Sequence, residues 1–173
     1  EYTYDIPENT TIYSLFEEQS EKNKEKVCLK VDDKELTFGE FKAYAERVDS
    51  KVRAITEEKS VIAVICERSF EMYGAVYGII RGGNAYLPIA PDYPQERIEY
   101  ILENSGAKAV VAQEKFCHLA GKVPCINATE VLNDNTIVEK TEILANENDA
   151  AYVIYTSGST GNPKGAKISH KSA

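Results

Sequence analysis

No apolar run in this sequence approaches the roughly 18 residues that a helix needs to cross a bilayer, so the chain is expected to be soluble with no membrane partner. The N-terminal Glu1-Tyr2-Thr3-Tyr4-Asp5 has neither a basic segment nor an apolar signal core, which argues against export and for a cytoplasmic protein. It also has no initiator methionine, so the chain is expected to be cut from something longer. Cysteine is sparse: Cys28, Cys66, Cys117 and Cys125 form no C-x-x-C pair. Cys28 and Cys66 sit in apolar runs, where free Cys behaves as a small hydrophobe, and reduced thiols are expected rather than disulfides. Cys117-His118 with Cys125 lacks a fourth ligand and a recognisable spacing, so no metal site is read there. Basic residues are also short: 20 Lys and Arg against 28 Asp and Glu leave a net charge of −8, which disfavours nucleic acid as the main partner.

What is present is ordinary for a globular protein, with 43% hydrophobic and 28% charged residues. At 173 residues, burial of roughly 70% of the unfolded surface is expected, enough for one domain with a core. Residues 1–9 read as a linker and 10–173 as the domain. Helical spacing predicts a first helix from Thr10 or Thr11 to about Asn23, with Ile12, Leu15 and Phe16 on its inner face. Val27 to Val31 and Glu35 to Thr37, joined by a tight turn at Asp32-Asp33-Lys34, predict a hairpin.

Thr37-Phe38-Gly39-Glu40 has the S/T-x-x-E form of a capping box, and Phe41, Tyr44, Ala45, Val48, Val52 and Ile55 mark the core face of the helix behind it. Val61 to Cys66 is apolar throughout, as in a strand covered on both faces, and a helix from about Ser69 to Arg81 stops at Gly82-Gly83. Ala85 to Pro91 contains two prolines, which argues for an extended segment rather than a regular central strand. A helix after Pro94 carries Ile98, Ile101 and Leu102 inward and stops at Gly106. A strand at 108–112, a short helix at 114–120, a short strand at 123–126, and a polar stretch at 127–148 with one short helix complete the approach to a last strand at 151–155. Strands alternating with helices predict an α/β fold, a mostly parallel sheet flanked by helices, with ligands beyond the carboxyl ends of the strands.

That last strand, Ala151-Tyr152-Val153-Ile154-Tyr155, runs into Thr156-Ser157-Gly158-Ser159-Thr160-Gly161-Asn162-Pro163-Lys164-Gly165. Thr156, Ser157, Ser159 and Thr160 offer hydroxyls, Gly158 and Gly161 let a ligand approach the backbone, and Lys164 brings a full charge. The residues suit a phosphate cradle, although strand-to-helix turns of this composition also occur with no ligand. A Walker A loop counted from Gly158 would need glycine at Pro163 and Ser or Thr at Gly165, so the loop is not one. Residues 150–173 contain Lys164, Lys167 and Lys171 and no acid, which makes the loop locally positive within a Debye length of about 8–10 Å.

Three stretches in this order resemble the adenylating domains of nonribosomal peptide synthetases, in the group that includes acyl-CoA synthetases and luciferases. They are Leu36 to Phe41, Arg81 to Pro91 continuing through Asp92 to Ile98, and Ala151 to Gly165. Two positions depart from the pattern: Arg81-Gly82-Gly83 stands where Lys-Ala-Gly is usual, and Ala90 where Asp is usual. The resemblance implies the N-terminal subdomain of an enzyme that uses ATP and Mg2+ to activate an amino acid carboxylate as its adenylate, releasing pyrophosphate, for transfer to a carrier-protein thiol. It implies that Thr156, Ser157, Gly158, Ser159, Thr160, Gly161 and Lys164 bind the phosphates, with Lys164 also the catalytic residue. His170 is expected to be a satisfied structural histidine, with orientation of the loop as the alternative. The family's substrate pocket and adenylate-contacting lysine lie downstream of the third motif, so this chain alone is expected to be inactive, its loop mobile. An acyl or aryl acid:CoA ligase and a non-catalytic nucleotide-binding module are the other readings.

Overall fold

A computed structural model describes residues 9–139, 141–157 and 163–173, with the backbone alone described at 156, 157, 163 and 164. In chain order the elements are α1 (Ile12–Lys22), β1 (Val27–Val31), β2 (Lys34–Thr37), α2 (Phe38–Ile55), β3 (Val61–Ile65), α3 (Phe70–Arg81), β4 (Ala85–Pro88), α4 (Gln95–Ser105), β5 (Ala109–Ala112), β6 (Cys125–Asn127), α5 (Ala128–Asn133), β7 (Ala150–Ser157) and β8 (Pro163–Ser169). A 3-10 helix at Glu114–Ala120 lies where a short helix is expected. The sheet has the order β6-β5-β3-β4-β7-β8. It is parallel from β6 to β7, and β8 returns antiparallel to β7.

Alternation along the strands sorts the core into two faces. Ile62 and Val64 on β3 pack with Val111 under Val48, Val52 and Ile79 of α2 and α3. Their neighbours Ala63 and Ile65 pack with Leu87 and Val110 against Ile98, Ile101 and Leu102 of α4. The continuous apolar run at 61–65 is therefore needed, because both faces are covered. A third cluster, outside the sheet, joins α1 to α2 and α3 through Tyr13, Phe16, Phe41 and Ile80.

Local signals place the helix starts. Glu40 N–H donates to the Thr37 hydroxyl (3.2 Å) while Thr37 N–H donates to the Glu40 carboxylate (3.0 Å), closing the expected box. Ser69 accepts from Met72 N–H at 3.2 Å to begin α3, and α3 ends at Gly82 with Gly83 at φ 78, a backbone that favours glycine. The predicted hairpin forms, with Asp32 at φ 54 in its two-residue turn.

Four expectations need correction. Ala85–Pro88 is a regular strand in the middle of the sheet. It tolerates proline because Ala85 and Ile89 donate to Ser60 and Val64 on the β3 side (3.0 and 2.9 Å). Alternation then turns Pro88, which has no N–H, toward β7, where pairing is confined to Tyr86 opposite Tyr152. On α1 the buried residues are Tyr13, Phe16 and Ser20, whereas Leu15 is 56% exposed, since the aromatic cluster with Phe41 and Tyr77 fixes the helix rotation. Ile55 at the end of α2 is likewise exposed. The segment after the loop is a strand, β8, which no sequence signal marked. The expected linker lies outside the described residues except for Asn9, which exchanges hydrogen bonds with Glu147 (3.0 and 3.2 Å).

Candidate functional site

Seven register pairs join β7 to β8, ending at Thr156 opposite Lys164 and Ser157 opposite Pro163. The last paired residues, Thr156 and Ser157 with Lys164 and Pro163, thus lie at the carboxyl end of the parallel strands, where α/β sheets hold ligands. Of the predicted phosphate-binding residues, Thr156, Ser157 and Lys164 have their backbone placed at the mouth of this hairpin, with Lys164 directly across from Thr156. Gly158, Ser159, Thr160 and Gly161 lie outside the described residues, as does the expected mobility of the loop.

The hairpin is held on both faces. Tyr152 stacks on Tyr86 of β4 with ring centroids 5.6 Å apart. The Tyr155 hydroxyl donates to Asn104 of α4 at 2.7 Å, and Val153 is buried against the α4 layer. Gly165, paired with Tyr155, meets a packing constraint that sequence reading missed: a Cβ there would lie 2.9 Å from the Tyr155 ring and 3.3 Å from Val153. In the sequence Gly165 counted as a mismatch to the Walker pattern and as the end of the third family-like stretch, and the reason for glycine there is its pairing with an aromatic residue across the hairpin.

At the foot of the hairpin, Asp149 gathers three partners. Its Oδ2 accepts from Lys59 Nζ (2.6 Å) and from Asn146 N–H (2.8 Å), and its carbonyl accepts from His170 N–H (3.1 Å). Lys171 N–H donates to the Glu147 carbonyl at 3.0 Å. His170 is 5% exposed, and neither ring nitrogen has a hydrogen-bond partner. It is buried but not satisfied, contrary to expectation. Burial holds its pKa below the ordinary imidazole value, with nearby Asp149 opposing and Lys59 reinforcing the shift.

The second motif begins with a buried charge. Arg81 donates to Asp49 (2.6 Å), to the Thr141 hydroxyl (2.8 Å) and to the Thr141 carbonyl (2.7 Å). Arg53 forks onto the same carboxylate with two contacts of 2.8 Å and reaches the Glu142 carbonyl at 2.6 Å. Asp49 is fully buried. The arrangement strings residues 141–144 along the helices, which suits the planar donor fork of an arginine where the pattern usually has lysine. Cys66 and Cys125 are free and half-buried, and burial pushes each thiol up to about 12, so neither supplies a thiolate nucleophile at neutral pH. Among the described residues no group of His, Cys, Asp or Glu is placed to hold a metal, and no helix is long and apolar enough to cross a membrane.

Residues 16–173 match the AMP-binding enzyme family. The chain belongs to that family. Among its relatives, bacitracin synthase 2 of Bacillus licheniformis is 39% identical over 171 residues, which cover 96% of this chain and 6% of the relative. Gramicidin S synthase 2 of Brevibacillus brevis is 38% identical over 175 residues, covering 96% of this chain and 4% of the relative. Of solved structures, the nonribosomal peptide synthetase FmoA3 in its AMPPNP-bound form superposes with a TM-score of 0.85 at 27% identity, over 98% of this chain and 18% of that one. The N-terminal subdomain of Klebsiella oxytoca NpsA shares the fold at a TM-score of 0.81 and 21% identity, with 95% of this chain covering 43% of the subdomain. The chain therefore spans a small part of its relatives' length.

Proposed function

We propose that this chain is the first part, residues 10–173, of the N-terminal subdomain of an enzyme that adenylates an amino acid. The observation that carries the reading is the β7–β8 hairpin, which presents the loop at the carboxyl edge of the sheet with Lys164 across from Thr156. In the parent enzyme a carboxylate oxygen attacks the α-phosphorus of ATP, the bond to the bridging oxygen breaks, and pyrophosphate leaves. The aminoacyl adenylate then passes to a carrier-protein thiol. FmoA3, bound to AMPPNP in its solved structure, supports ATP as the nucleotide, and Mg2+ is taken to enter with the triphosphate.

The role of this chain is to position and neutralise. Backbone N–H groups of residues 157–161, the hydroxyls of Thr156, Ser157, Ser159 and Thr160, and Lys164 bind the β- and γ-phosphates, so that charge building on the leaving pyrophosphate is met by donors already in place. Gly158 and Gly161 keep side chains out of that approach. ATP supply and reduced thiols fit a cytoplasmic setting.

Lys164→Ala in the parent enzyme tests the assignment by calorimetry with ATP. Loss of one charge-assisted contact of about 1.5–3 kcal/mol weakens ATP binding by about ten- to a hundredfold. Unchanged affinity would remove Lys164 from the site.

A further inference from the structure

Among the described residues, β7 joins β4 through a single register pair, Tyr86 opposite Tyr152. Tyr155 lies about 10 Å farther along the strand, so the outer half of the hairpin, with Thr156 and Lys164, extends past the ladder that anchors it. Side-chain contacts take over there. The Tyr155 ring rests against the backbone of Gly165, its register partner, since a Cβ at Gly165 would lie 2.9 Å from Cε2 and 3.1 Å from Cζ. That pair is next to Thr156 opposite Lys164, the last register pair but one before the loop.

The ring is itself held. Its hydroxyl donates to Asn104 Oδ1 at 2.7 Å, and the Ser105 hydroxyl adjoins it. Both residues belong to the last turn of α4, which stops at Gly106 (φ 65) and is fixed against the sheet by the buried Ile98, Ile101 and Leu102. Burial raises the Tyr155 phenol above its ordinary pKa, with Tyr100 reinforcing the shift and Ser105 opposing it, so the hydroxyl stays a donor at neutral pH. Phenylalanine would fill the same space over Gly165. What the hydroxyl adds is direction: it ties the ring, and through it the mouth of the hairpin, to a rigid helix.

We propose that Tyr155 and Asn104 are a pair of positioning residues for the nucleotide loop: the phenol–amide contact holds the ring over Gly165 and so keeps Lys164 opposite Thr156, at the spacing on which phosphate binding depends. The inference rests on the adenylating-enzyme reading for the identity of the ligand. It links two of the family-like stretches, because the helix that follows the second supplies the anchor for the strand that opens the third.

Tyr155→Phe, Asn104→Ala and the double variant are tested in the parent enzyme. Asn104 is exposed and phenylalanine keeps the ring, so core packing survives both changes. In amino acid-dependent ATP–pyrophosphate exchange, the KM for ATP is expected to rise about three- to tenfold in each single variant and no further in the double variant. The kcat and the KM for the amino acid stay unchanged. Asn104→Asp restores the KM for ATP, since its carboxylate accepts from the phenol. Backbone amide exchange over residues 153–167, followed by peptide mass spectrometry, quickens by about the same factor in the single variants. An unchanged KM for ATP, an additive rise in the double variant, or hairpin amides exchanging at the unsubstituted rate would overturn the proposal. If the unsubstituted parent shows no exchange with any amino acid, the adenylation reading fails by itself, and the Kd for ATP by calorimetry then takes the place of the KM in judging the pair.

Discussion

Gly74 and Gly78 set how closely α2 and α3 approach. A Cβ on Gly74 would fall 1.9 Å from the Tyr44 ring, and one on Gly78 2.6 Å from Val48 Cβ and 2.7 Å from the Ala45 carbonyl oxygen. Alanine raises intrinsic helix propensity by about 1 kcal/mol, but overpacking costs about 1–3 kcal/mol, and the Ala45 backbone cannot swing aside. Gly78→Ala is therefore expected to destabilise by about 1–2 kcal/mol in urea unfolding, and a raised midpoint would refute the packing argument. The Asp49 cluster gives a larger effect. Arg81→Met leaves a fully buried carboxylate with Arg53 as its one remaining arginine and is expected to cost about 3–5 kcal/mol, with Arg81→Lys costing less. His170 adds a pH signature. Its folded pKa lies below its unfolded value of about 6.5, so its contribution is full above that pH and is lost as pH falls toward the folded pKa, because the unfolded chain binds the proton first. Replacement by Gln should flatten the fall in stability just below about pH 6.5, and parallel curves for the two proteins would contradict the assignment.

At the scale of elements, the hairpin β7–β8 carries the candidate site, and its register depends on Tyr155 lying over Gly165 while its hydroxyl holds Asn104. Gly165→Ala displaces the ring and strains that bond, for an expected loss of about 1–2 kcal/mol. In a Tyr155→Ala background the same substitution should cost clearly less, since the clash is gone, and equal costs in both backgrounds would show that the ring is not the obstacle. The element boundaries of α2, α3 and α4 were legible in the sequence because caps, glycines and prolines act locally: Thr37, Ser69, Pro94 and Gly106 each stand where the structure starts or stops a helix. β8 was not legible. Pro-Lys-Gly-Ala-Lys-Ile-Ser has neither alternation nor an apolar run, and it becomes a strand because β7 offers it an open edge.

For the whole molecule, the local positive charge of residues 150–173 sits on a chain of net charge −8, so on the proposed reading attraction of a triphosphate depends on that segment rather than on the overall field. The 173-residue chain alone is expected to give no amino acid-dependent ATP–pyrophosphate exchange while the parent enzyme does, and labelled ATP formed above background by the short chain would refute this. The sequence by itself determined the α/β class, the covered strand at 61–65 and the capped helices, because each depends on spacing or on residue chemistry within a few positions. Tertiary structure alone decided the strand order, the acceptance of Pro88 at the centre of the sheet, the rotation of α1 that exposes Leu15, the burial of Asp49 between two arginines, and the unpartnered imidazole of His170. Such features are set by partners distant in the chain, such as Arg81 for Asp49 and Tyr77 for Phe16, and no local pattern records which partner arrives.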